Sequence, residues 1–341
     1  MVIRTGLVGH GLAGSVFHEP LISACDRLEL TAVLTSRDHP LKVDSLEQLL
    51  GRADLVVIAS PNQSHFPLAR ASLEAGKHVV IDKPFTVTTE EARRLIEIAS
   101  ARELLLSAFH NRRWDGDFLT VEKMLPRLGE PLLFESNWDR FRPAIRKGWR
   151  EVAEPGAGLL NDLGPHLVDQ VLKLFGMPDF VDADIASQRD GAMVDDYFSL
   201  TLTFGRMRAC LRSSSLMAAP RPRFGVHGTL GSFVKTGLDP QEAQLRAGMR
   251  PTDPGFGQDH VAGALVLADG SASAVPTERS NYRAFYEKIA SAILDGAPIP
   301  VRPEDAVQGL FLIDLARRAA ALGERLPVPA ASSPEGSIRE A

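Results

Sequence analysis

Cysteine is scarce: Cys25 and Cys210 are the only two among 341 residues. Two isolated thiols build neither a disulfide framework nor a zinc cluster, which points to a reducing, cytoplasmic compartment. Long apolar runs are missing too. None approaches the roughly 18 residues that a membrane-spanning helix needs. Met1–Gly9, with one basic residue and a short apolar stretch, reads as a first strand rather than a leader. Positive charge is not in excess. Thirty-eight Lys and Arg stand against 43 Asp and Glu, a formal charge of -5, which disfavours a nucleic-acid binder. No internal repeat is visible. What remains is an ordinary globular composition, 44% hydrophobic and 24% charged. At roughly 150 residues per domain the length suggests two domains.

Residues 1–115 alternate two patterns. Short β-rich runs at Val2–Val8, Leu28–Leu34, Leu55–Ala59, His78–Ile81 and Leu104–Ala108 are separated by helical stretches at Leu12–Ala24, Ser45–Leu50, Ser64–Ala75 and Thr89–Ala101. Continuous apolar strands spaced by helices predict a parallel sheet covered on both faces, a Rossmann-type α/β domain. Residues 116–326 read differently. Helices at Asp117–Leu125 and Asp162–Phe175 accompany strand-like runs at Leu132–Trp138, Val181–Arg189, Tyr197–Phe204, Met207–Ser215 and Phe224–His227. Two helices, Asn281–Leu294 and Pro303–Leu322, follow. This pattern predicts an α+β domain with a large, mostly antiparallel open sheet. An uncovered apolar sheet face would associate, so a homodimer or homotetramer is expected. The Pro-, Ala- and Ser-rich segment 327–341 is expected to be a mobile tail.

Gly9-His10-Gly11-Leu12-Ala13-Gly14 fits G-x-G-x-x-G between a strand and a helix, the context in which the pattern means dinucleotide binding. Gly9 allows the tight turn, Gly11 leaves room for a pyrophosphate and Gly14 lets helix and strand pack. Leu12 and Ala13 open the helix whose N-terminal N–H groups face the phosphates. Ser36 and Arg37 follow the second strand and suit a 2′-phosphate, which favours NADP(H). Asp38 is the competing acidic residue that would bind the ribose hydroxyl of NAD(H). Ser60, Asn62 and His65 follow the third core strand and are expected at the cofactor crevice.

Asp82-Lys83-Pro84 ends the fourth core strand, where Lys83 can reach the cleft and stabilise an alkoxide, with Asp82 beside it. Asp162 and His166 are one helical turn apart, so the carboxylate is expected to orient the imidazole and raise its pKa. Such a pair can take a hydroxyl proton as hydride leaves the same carbon. Asp169 continues that face, but three ligands on one helix converge poorly, and no metal is expected. Arg113, Trp114, Arg140 and Trp149 sit in polar and aromatic segments suited to a polyhydroxylated substrate.

Together the Gly9–Gly14 loop, Asp82-Lys83-Pro84 and Gly156–Asp169 resemble the glucose–fructose oxidoreductase / inositol dehydrogenase / MocA (Gfo/Idh/MocA) family over nearly the whole chain. Thr31–Arg37, His110–Asp115 and Asp162–Gln170 are most similar to the branch with NADP-dependent scyllo-inositol dehydrogenases. The resemblance implies Lys83 as catalytic lysine, Asp162 as cleft aspartate and His166 as proton-transfer histidine. Two positions depart from the pattern: Asp82 stands where the family usually has Glu, and Ala157 interrupts a run of three glycines. The expected activity is NADP-dependent oxidation of a secondary alcohol of a cyclic polyol or sugar. The rivals are an NAD-dependent sugar-acid or dihydrodiol dehydrogenase, a glycoside-cleaving enzyme and a non-catalytic nucleotide sensor.

Overall fold

The computed structural model describes residues 1–145, 151–153 and 156–329. Six parallel strands make the first sheet: β1 (Ile3–Val8), β2 (Leu28–Leu34), β3 (Lys42–Val43), β4 (Leu55–Ile58), β5 (His78–Ile81) and β6 (Leu106–Ala108), in the order β3-β2-β1-β4-β5-β6. Leu55-Val56-Val57-Ile58 is fully buried because helices cover both faces, and β-branched side chains pack well on a pleated surface. The strand order reverses between β1 and β4, which opens a crevice at their carboxyl ends.

The second sheet has nine strands: β7 (Pro131–Asn137), β8 (Phe180–Ala186), β9 (Tyr197–Phe204), β10 (Met207–Ser214), β11 (Phe224–Gly228), β12 (Gly231–Lys235), β13 (Gly263–Leu267), β14 (Ala272–Val275) and β15 (Leu326–Pro327). Its order is β14-β13-β12-β11-β7-β10-β9-β8-β15, and only β7 and β10 pair in parallel. The Leu159–Phe175 and Pro303–Leu322 helices pack together and join the core of one face, where Phe134, Leu202, Val226, Phe233 and Leu265 are buried.

Three sequence expectations change. The outer sheet face is mixed rather than apolar: Val234 and Val266 share it with the Glu135–Arg212 ion pair, whose atoms are 2.7 Å apart. The segment expected to be mobile from Pro327 starts in the sheet, because Leu326–Pro327 pairs with β8 and the Val328 N–H donates to Asp179 O; residues 330–341 of that segment lie outside the described ones. The first core also reaches past residue 115, since Tyr282, Phe285, Tyr286 and Ile289 of the C-terminal part pack into it. The two sheets are therefore held as neighbours by shared apolar packing, and a cleft between them has walls from both.

Candidate active site

The cleft runs along the carboxyl ends of the first sheet and encloses about 470 Å³. Its floor is the glycine loop. Gly9 has φ +94°, and a Cβ there would lie 2.6 Å from Ala59 O. A Cβ on Gly14 would lie 2.1 Å from Gly9 O, so this glycine serves packing behind the cleft. Gly11 differs: a Cβ there would meet no protein atom within 4 Å. The protein itself does not need glycine at position 11, whereas a ligand crossing the loop does. A π-helical turn, Ala13–His18, opens the following helix just ahead of Pro20, which has no N–H to give to the preceding turn.

Leu12, Ala13, Ser36, Arg37, Ser60, Asn62, Asp82 and Lys83 line the same cleft as Gly9 and Gly11. Asn62 Nδ2 is buried and has no hydrogen-bond partner among the described residues. An open loop, a helix N-terminus and an unsatisfied amide at the strand ends suit a dinucleotide. Asp38 is exposed and does not line the cleft.

Asn161 and Asp162 come from the Leu159–Phe175 helix of the second domain. Its start is fixed by Asp195, which accepts the Leu159 N–H on its carbonyl at 2.8 Å and the Leu160 N–H on its carboxylate at 2.6 Å. Gly158 lies against that cap with φ +94°, and a Cβ would fall 2.3 Å from Asp195 Oδ1. Pro165 inside the helix removes a ladder bond near Asp162. There Lys83 Nζ donates to Asp162 O at 2.7 Å and to Asp162 Oδ1 at 3.0 Å. Arg140 approaches the other carboxylate oxygen at 3.6 Å.

This arrangement corrects the expected Asp162–His166 pair. The carboxylate is committed to Lys83 and Arg140, and His166 stacks near Trp138 with ring centroids 6.3 Å apart. Burial and the nearby Lys83, Arg112, His110 and Arg223 push the His166 imidazole well below its ordinary range, not above it. Its Nδ1 is buried without a partner among the described residues. At neutral pH the ring is uncharged and can accept a proton.

Asp82 is held from behind. Its Oδ1 accepts the Lys83 N–H at 2.8 Å and lies 3.7 Å from His18 Nε2. His18 in turn shares a 2.6 Å hydrogen bond with the Tyr286 hydroxyl from the C-terminal part. Burial pushes the Asp82 carboxyl up, but His18 and the charge of Lys83 outweigh it and hold it below the usual range.

Three expected site residues sit elsewhere, and a fourth is not among the described ones. His65 is buried behind the cleft and bridges Ser60 O and Pro84 O at 2.9 Å each, tying two strand-end loops together. Arg113 is buried in a bidentate pair with Asp169 (2.9 and 2.7 Å) and reaches Asp305 at 3.0 Å, so it braces the fold. The same pair occupies the Asp169 carboxylate that a metal would have needed. Trp114 packs edge-on against Phe285 in the first core. Trp149 lies outside the described residues. Residue type alone did not single out Trp138 and Arg112. The Arg112 guanidinium lies 4.2 Å above the Trp138 ring and pairs with Glu242 at 2.6 Å.

Residues 3–110 match the family described as "oxidoreductase family, NAD-binding Rossmann fold", and residues 123–329 match its "C-terminal alpha/beta domain". The chain belongs to the Gfo/Idh/MocA oxidoreductase family. It is an NAD(P)-dependent dehydrogenase by that membership. The oxidoreductase YdgJ of Escherichia coli is 43% identical, with 93% of this chain and 96% of YdgJ covered. IolW of Bacillus subtilis, a scyllo-inositol 2-dehydrogenase (NADP(+)), is 38% identical over 93% of this chain and 94% of its own. The structure of the B. subtilis oxidoreductase yvaA superposes with a TM-score of 0.93 at 37% identity, covering 96% of this chain and 98% of that one. Of the two departures from the Gfo/Idh/MocA pattern, Ala157 is harmless to the backbone. Gly156 and Gly158 both carry positive φ, and Ala157 does not. No described helix is long and apolar enough to cross a membrane.

Proposed function

We propose that the chain oxidises a secondary alcohol of a cyclic polyol or sugar, or reduces the corresponding ketone, with NADP(H). The observation that carries this reading is Lys83, held by Asp162 from the second domain in the wall of the cleft that begins at the open Gly11 loop. When bound, the nicotinamide supplies the hydride acceptor. Gly9, Gly11, Leu12 and Ala13 would hold the diphosphate, Ser36 and Arg37 the 2′-phosphate, and Ser60, Asn62 and Asp82 the nicotinamide half.

Lys83 stabilises negative charge on the substrate oxygen as its proton departs. His166, uncharged at the start, accepts that proton, and in the reverse direction returns it. Asp162 orients Lys83 rather than His166. Arg140 stands on the far side of Asp162 as a substrate contact. The likeness to IolW supports a cyclic polyol and NADP. The mixed outer face of the nine-stranded sheet suits an interface between copies, since many interfaces are no more apolar than ordinary surface. A homodimer or homotetramer is proposed on that ground.

The test is absorbance at about 340 nm, where reduced nicotinamide absorbs, with NADP⁺ or NAD⁺ and a panel of inositols and aldoses. Turnover with NADP⁺ and a cyclic polyol is expected. His166→Ala and Lys83→Met should each lower kcat about 100-fold or more, the scale of a positioned proton-transfer or oxyanion group. Unchanged turnover in both variants would refute the assignment.

A further inference from the structure

His10, Glu19 and His39 form a cluster that the chemistry above does not use. His10 follows Gly9 in the loop and lines the cleft together with Leu34, Thr35, Ser36 and Arg37. Its ring stands edge-on to His39, with centroids 4.9 Å apart. His39 is two residues beyond Arg37, so His10 lies against the segment that carries Ser36 and Arg37. This is the end of a Rossmann cleft at which the adenosine ribose is read.

The hydrogen-bond directions in the cluster are fixed. The Leu41 N–H donates to His39 Nδ1 at 3.1 Å, so the hydrogen of the neutral His39 ring is on Nε2. That Nε2 donates to Glu19 Oε1 at 3.2 Å. An ionised carboxylate only accepts, so His10 Nε2, 2.5 Å from Glu19 Oε2, donates as well. Glu19 therefore holds His10 by one nitrogen and leaves Nδ1 as its remaining polar atom. The three groups lie within 4.8 Å of one another, a spacing that would otherwise suit a metal ion. The Leu41 bond argues against that use, because His39 Nε2 then has no lone pair to offer.

We propose that His10 is a specificity-determining residue that contacts the 2′-phosphate of NADP, and that Glu19 is its positioning residue. This rests on the NADP reading given above. It adds a third phosphate ligand beside Ser36 and Arg37 and gives Glu19 and His39 a purpose. Protonated His10 donates Nε2–H to Glu19 and Nδ1–H to the phosphate. Without Glu19 the ring is free to turn, and the second donor is no longer aimed.

Calorimetric titration of the full chain with 2′,5′-ADP and with AMP tests this without turnover. These ligands differ only in the 2′-phosphate. His10→Ala is expected to weaken 2′,5′-ADP about tenfold or more, the size of one charge-assisted hydrogen bond, and to leave AMP within about twofold. Glu19→Gln should weaken 2′,5′-ADP alone, and the double variant should bind no worse than His10→Ala. Equal losses for both ligands, or no loss for 2′,5′-ADP, would overturn the assignment of His10. Additive losses in the double variant would overturn the positioning role of Glu19. A wild-type chain that binds both ligands equally would instead refute the NADP reading on which the proposal stands. Unchanged AMP affinity also shows that each variant is folded.

Discussion

The last two glycines of the loop should fail in opposite ways when each becomes alanine. In Gly14→Ala the new methyl would stand 2.1 Å from Gly9 O, more than 1 Å inside van der Waals contact, so the strand–helix turn must shift. Overpacking of this kind costs about 1–3 kcal/mol. In Gly11→Ala the methyl meets no protein atom within 4 Å, and Gly11 is not among the glycines with positive φ. Stability should then hold or rise by about 0.4–1 kcal/mol, because the unfolded chain loses freedom. The same methyl occupies the space above the helix N-terminus. Loss of one charge-assisted bond to a phosphate, about 1.5–3 kcal/mol, corresponds to a Kd roughly 10- to 150-fold weaker. Urea denaturation of the ligand-free chain and NADPH titration by nucleotide fluorescence read the two quantities separately. A Gly11→Ala chain that unfolds markedly earlier than wild type would show that the methyl meets protein after all. One that binds NADPH with wild-type affinity would show that the diphosphate does not cross this residue.

Two further outcomes follow from the charges around the cleft. Because burial and the surrounding cations lower the His166 pKa, the acid limb of kcat/KM for alcohol oxidation, which needs the neutral base, should lie below 6.5; a pH–rate profile with that limb above 6.5 would contradict the assigned environment. Arg113→Met should cost about 3–5 kcal/mol of stability, since it leaves the buried Asp169 without its bidentate cation, whereas Asp305 keeps Arg302 at 3.1 Å, while KM stays within about twofold; a tenfold rise in KM at unchanged stability would restore Arg113 to the substrate.

The parallel half was legible because its signals are local. Val79-Val80-Ile81 is an uninterrupted β-branched run, and Thr88 and Glu91 form a capping box that fixes the start of the Thr89–Ala101 helix. The far edge of the second sheet was not. β12 and β13 each begin with glycine, which lowers the strand signal, yet a Cβ on Gly263 would lie 2.4 Å from the Phe233 ring. β14 is the small-residue run Ala-Ser-Ala-Val, with little apolar pattern to read. Site residues divide the same way. Gly9, Gly11 and Lys83 were readable from motif and strand end. Arg113 and Arg140 are the same residue type in similar segments, and only their partners separate them: Asp169 and Asp305 bury one, while Asp162 keeps the other beside the cleft. The spacing of Asp162 and His166 placed both on one helix face. It could not show that a lysine 79 residues earlier would claim the carboxylate.

That reassignment changes how the proton transfer is balanced. A carboxylate partner would make His166 a stronger base and leave the substrate hydroxyl unaided. Here Lys83, Arg112 and Arg223 all act on the imidazole, and in the proposed reaction Lys83 would act on the substrate oxygen as well. Each makes the imidazolium less favourable, and Lys83 would also favour negative charge on a substrate oxygen held beside it. Lys83 would thus lower the proton affinities of donor and acceptor together, so that its charge need not oppose the proposed transfer and would move it to lower pH. Asp162 limits the effect by offsetting part of the positive charge of Lys83 and Arg140. The pocket thus places its carboxylate on Lys83 and leaves its histidine uncharged, the state that the proposed reaction needs if the ring is to take a proton as hydride leaves.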